Sequence, residues 1–114
     1  MLTLYGIKQC DTVKKATKWL DAQGIPYQMI DVKSQPPSPE LLEQAWQHFG
    51  DKLVNKSSTT WRQLSDADKA DSSKEHRLTL LAQNPTLMKR PLIKGGREWT
   101  LGFKAEQFAE IYQA

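Results

Sequence analysis

The sequence predicts an α/β fold: a mixed four-stranded sheet with helices on both faces. Three observations carry that expectation. A strand pattern, a helix pattern and a second strand pattern follow one another between Leu2 and Val32. Two short β-rich runs flank Gly95-Gly96 near the other end of the chain. The stretch between these two regions is helical or polar in pattern, so it reads as an insert.

The elements follow in order. Leu2, Leu4 and Tyr5 lie in a run that reads as a buried strand, broken by Gly6. Asp11 or Thr12 can cap the helix that follows, and Val13, Ala16 and Leu20 recur on one face of it. The helix is expected over Asp11 to Gln23, with Gly24 as its stop. Ile25 to Val32 reads as a second strand. A strand, helix and strand in close succession imply parallel pairing through a right-handed crossover. Ser34 to Pro39 is a linker, after which Ser38 as N-cap and Pro39 at the first position open a helix that ends at Gly50. Its apolar stripe is Leu42, Ala45, Trp46 and Phe49. Short helices are expected around Thr60 to Leu64 and Asp66 to Ala70, and a longer one over Lys74 to Gln83 with Leu78, Leu81 and Ala82 inward. Residues 91–93 and 98–101 then read as a hairpin joined by a tight turn at the glycine pair. A helix over Phe103 to Tyr112 closes the chain, with Ala105, Phe108 and Ile111/Tyr112 on one face. The order β-α-β, helical insert, β-β-α is the thioredoxin-like arrangement. Residues 1–114 read as a single domain of that type, with the insert at about 38–83.

The only cysteine, Cys10, falls where the first strand hands over to the first helix. The positive end of a helix, with Lys8, Lys14 and Lys15 close by in sequence, favours a thiolate there, and the thiolate is the nucleophile. Thr12 can cap the helix and donate a hydrogen bond to the sulfur. Asp11 opposes thiolate formation, so it is expected to point away. A lone cysteine can equally be a small buried hydrophobe.

Composition narrows the function classes. A hydrophobic fraction of 39% and a charged fraction of 25% are those of an ordinary globular domain. One cysteine forms no internal disulfide, and no apolar run is long enough for a membrane helix. There is no signal-peptide pattern at the N-terminus. The expectation is a cytoplasmic protein. The net charge of +3 is small and spread along the chain, which argues against direct nucleic-acid binding. His48 and His76, the only histidines, stand at no ligand spacing from Cys10 or a carboxylate pair, so no metal is expected. Both read as surface residues, and Trp46 and Trp99 read as core.

Three stretches carry a resemblance: YGIKQCDTVKKA at the start, WRQL in the insert and NPTLMKRPL before the hairpin. Together they resemble the arsenate-reductase-related (ArsC-like) family, and within it the YffB subgroup, with Spx-type transcription regulators as cousins. The resemblance implies a nucleophilic cysteine at Cys10 and oxyanion-holding arginines at Arg62 and Arg90. The family's third arginine has no equivalent here. The region reads LGFKAE, with Lys104 the nearest cation, and lysine does not reproduce the fork of arginine. The resemblance also implies a cis bond before Pro91 and a substrate groove beside it. Arg90, Arg62, Pro91, Thr12 and Lys8 are thus the candidate substrate- and anion-binding residues.

Where redox relatives carry a resolving cysteine, this chain has Val13. Cys10 can therefore pair only with an outside thiol. The resemblance to YffB implies a monothiol, glutathione-dependent reductase, with glutathione as co-substrate, no bound cofactor, and glutaredoxin as a further candidate partner. The substrate would be a disulfide or an oxyanion. Two alternatives stand beside it. One is an arsenate reductase proper. The other is a non-enzymatic, Spx-like module that binds RNA polymerase.

Overall fold

A computed structural model describes residues 1–113. These fall into two compact units: Met1–Val32 with the chain from Arg90 onward, and Lys33–Lys89.

The first unit holds the whole sheet. Strands β1 (Leu2–Gly6), β2 (Tyr27–Asp31), β3 (Leu92–Lys94) and β4 (Thr100–Leu101) lie in the order β2-β1-β3-β4. β1 pairs β2 in parallel, Leu4 opposite Met29, and pairs β3 antiparallel, Leu4 opposite Ile93. This is the mixed sheet of the thioredoxin-like fold. The parallel pair needs a crossover, which helix α1 (Asp11–Ala22) supplies. Val13, Ala16 and Leu20 of α1 bury with Leu2, Leu4, Ile93 and Phe108 of the last helix, α6 (Ala105–Tyr112). Phe108 is the hub of an aromatic cluster. Trp19, Phe103 and Tyr112 each meet its ring edge-on, at centroid distances of 5.5, 4.9 and 5.1 Å.

Several details depart from the sequence reading. Gly6 belongs to β1 and pairs with Asp31 rather than breaking the strand. A Cβ there would lie 2.7 Å from Val13 Cγ2, so glycine lets the strand end meet the first turn of α1. The hairpin turn is not tight. Ile93 pairs with Thr100 and Leu92 with Leu101, which leaves residues 95–99 as a loop. Gly95 has φ 98°, and a Cβ on it would sit 2.6 Å from the Met1 carbonyl oxygen. That glycine serves a close approach to β1, not a two-residue turn. Ala105 is exposed, because α6 begins after Lys104 and only Phe108 of that helix is fully buried. Trp99 is half-buried rather than core.

The second unit is helical: α2 (Pro39–Phe49), a 3₁₀ turn over Gly50–Leu53, α3 (Thr59–Arg62), α4 (Asp66–Ala70) and α5 (Lys74–Gln83). Each of the four α-helices starts on a serine. The hydroxyls of Ser38, Ser58, Ser65 and Ser73 accept from the amides of Leu41, Trp61, Asp68 and His76. Pro39 occupies the first turn of α2, and Trp46 of that helix is half-buried. Val54 pairs with Met88 in an antiparallel bridge flanked by Asn55 N to Leu87 O at 2.9 Å and Lys89 N to Leu53 O at 2.8 Å.

The inward face of α5 is Arg77, Leu80 and Leu81, while Ala82 is exposed and Leu78 half-buried. The sequence pattern places Leu78, Leu81 and Ala82 inward, and the observed face is turned from that one so that it takes in Arg77. Arg77 is 2% exposed. Its Nε donates to Asp51 Oδ1 at 3.1 Å, and its terminal nitrogens donate to the carbonyls of Asp68 and Lys69 at 3.4 and 3.2 Å. Its guanidinium lies 5.0 Å from the Trp61 ring centroid. One fork thus satisfies carbonyls at the open end of α4 and stacks on α3. His76 is likewise half-buried rather than on the surface, with Nε2 3.0 Å from Asp68 Oδ1. Arg77→Lys keeps the charge but loses the fork and the stacking. It is expected to destabilise the protein by about 2–3 kcal/mol, read from urea unfolding.

Candidate active site

The thiol site is assembled from two ends of the first unit. β1 ends at Gly6, and the chain turns through Ile7–Cys10, closed by Cys10 N donating to Ile7 O at 3.2 Å. Cys10, neither Asp11 nor Thr12, is the N-cap of α1. It has extended dihedrals of −79° and 123°, and its carbonyl accepts the first helical bond from Lys14 N at 3.0 Å. A residue at the N-cap holds its side chain over the open amides of the first turn. No cap hydrogen bond of ordinary geometry closes on the sulfur. The amides of the first turn still act on it electrostatically.

Burial is the largest single influence on the Cys10 thiol, and it pushes the pKa up. It is outweighed by the Val13 amide, the Arg90 side chain as hydrogen-bond donor, the Thr12 amide and the positive charge of Arg90. The net result is a pKa below the ordinary value of 9.0. Arg90 is half-buried, with Nε inside the protein surface. It directly precedes Pro91, which is buried, and the Arg90–Pro91 peptide bond is cis, as the resemblance implied. The Pro91 carbonyl accepts from Gly102 N at 2.9 Å, which ties this corner to the end of β4.

The site therefore brings Cys10, Thr12, Arg90 and Pro91 into one unit, with corrections of detail. Thr12 acts through its backbone amide. Lys8, Lys14 and Lys15 are exposed, and the groups that lower the thiol are the two amides and Arg90 instead. Solvent screens exposed ammonium groups, whereas Arg90 and the helix amides act at short range. Asp11 is exposed, in keeping with a carboxylate turned from the sulfur. Arg62 belongs to the second unit, at the end of α3. It is exposed, and its Nη2 donates to Ser57 O at 3.0 Å. Lys104 is the exposed N-cap of α6. The Val13 amide was missed by side-chain reasoning, although the helix start directly after Cys10 was its signal. Among the described residues no cluster of three or more histidine, cysteine or acidic side chains could hold a metal, and no helix is long and apolar enough to cross a membrane.

A mixed thioredoxin-like sheet with one lowered thiol at a helix start, reached by an arginine that precedes a cis-proline, defines the class. The ArsC family model matches residues 5–111, and the chain belongs to that family. It is 45% identical over 113 residues to an uncharacterized protein of Haemophilus influenzae, covering 98% of this chain and 99% of the relative. A solved structure of a YffB protein superposes with a TM-score of 0.92 at 35% identity, covering 96% of this chain and 97% of that one. The global transcriptional regulator Spx of Listeria innocua is 26% identical over 94% of this chain and 83% of its own length.

Proposed function

We propose that this chain is a glutathione-dependent thiol reductase that works in the cytoplasm with a single cysteine. The observation that supports it is the lowered thiol of Cys10, under the Val13 and Thr12 amides and beside Arg90, in a chain with no second cysteine. In the proposed cycle the Cys10 thiolate attacks the glutathionyl sulfur of a mixed disulfide. The S–S bond breaks, the substrate thiolate leaves and takes a proton, and Cys10 carries the glutathionyl group. The thiolate of a second glutathione attacks that same sulfur, releasing Cys10 as thiolate and oxidised glutathione as product. Glutaredoxin is an alternative thiol donor for the second step. Arg90 holds the anionic end of the tripeptide, with Lys8 as a further cation for it, and Pro91 shapes the groove.

The similarity to Spx regulators favours one second reading, a module that binds RNA polymerase without turnover. Arsenate reduction is the weaker enzymatic reading, because the family's third arginine has no equivalent here and the nearest cation, Lys104, lacks the fork of arginine. Mass spectrometry after incubation with oxidised glutathione tests the proposal. One glutathionyl group on Cys10 is expected. An unmodified Cys10, with a pull-down retaining polymerase subunits, would replace the reductase reading with the regulatory one.

A further inference from the structure

The second unit has a pocket of about 410 Å³ lined by Asp51, Lys52, Val54, Asn55, Lys56, Ser57 and Lys89. Its charge is unbalanced, with three lysines against one carboxylate. That carboxylate is already engaged on both oxygens, by Lys56 Nζ at 2.6 Å and by Arg77 Nε at 3.1 Å. Among the described residues neither Lys52 nor Lys89 has an acidic partner. The walls are held firmly, by the Val54–Met88 bridge and by Lys89 N on Leu53 O. The Ser57 amide donates to Asn55 Oδ1 at 3.1 Å, which fixes the loop that carries this wall of the pocket. The guanidinium of Arg62, on the Ser57 carbonyl, adds a fourth cation to this segment.

We propose that this pocket binds a small phosphorylated molecule carrying two or more negative charges. Compact, hydrated lysine ammoniums are point-charge binders of phosphate, and a volume in the usual range for small-molecule sites holds more than a lone phosphate group. Lys52 and Lys89 carry the uncompensated charge and are the residues that hold the ligand. The site is independent of the thiol chemistry.

The test is a titration of the full-length ¹⁵N-labelled protein with inorganic pyrophosphate at low ionic strength, where exposed charges are least screened. Saturable shifts concentrated on the amides of Lys52, Val54, Lys56, Ser57 and Lys89 are expected. The Lys52→Gln/Lys89→Gln double variant keeps the spectrum of a folded protein, since both side chains are exposed, and binds about tenfold more weakly. Shifts scattered over lysines throughout the chain, shifts centred on Cys10 and Arg90, or no saturation would each overturn the proposal. So would a hexaglutamate peptide that saturates the same amides at lower concentration, which would assign the pocket to an acidic protein partner instead.

Discussion

Cys10→Ser is expected to reduce glutathione-dependent turnover to background, a fall on the order of 10³-fold or more. Serine keeps the shape of the N-cap and is itself a favoured capping residue, so the helix start should be retained or strengthened. What is lost is the nucleophile, because a hydroxyl is far from ionised near neutral pH. Circular dichroism and steady-state turnover, measured on the same preparation, separate the two effects. Turnover that survives in Cys10→Ser would remove the sulfur from the reaction. The wild type carries a matching constraint. With one cysteine it cannot resolve its own mixed disulfide, so sustained turnover with glutathione and glutaredoxin omitted would overturn the monothiol cycle.

Arg90→Ala is expected to shift the pH profile of Cys10 alkylation toward higher pH. The rate follows the thiolate, so in the wild type it rises about tenfold per pH unit and levels off below the ordinary thiol value of 9.0. Burial opposes ionisation. Without Arg90 only the Val13 and Thr12 amides counter it, so the plateau moves up and reactivity at neutral pH falls. Loss of charge-assisted hydrogen bonds to an anionic substrate adds to this, and kcat/KM should drop by roughly 10- to 100-fold. Iodoacetamide rates across pH read the first effect, and turnover reads both. An unchanged alkylation profile would mean that the amides alone set the thiol.

What the sequence determined by itself was local. Ser38-Pro39 opened α2, Gly50 closed it, and α4 and α5 run over Asp66–Ala70 and Lys74–Gln83 as their patterns predict. Caps, proline at the first turn and glycine at helix ends act within a few residues, so their chemistry is readable from neighbours in the chain. The thioredoxin-like order of elements and the family were legible for the same reason, together with the motifs around Cys10 and Pro91. Other features required the tertiary structure. The inward face of α5 is centred on a buried arginine, because Asp51, Trp61 and the carbonyls of Asp68 and Lys69 surround it from other elements. Gly95 is spent on the approach of Met1, which the local turn pattern could not reveal. The choice of cation at the thiol is of the same kind. Lys8 is two residues from Cys10 and points to solvent, whereas Arg90, eighty residues away in sequence, meets the sulfur. Electrostatic influence depends on distance and screening in space, and only the folded chain sets those.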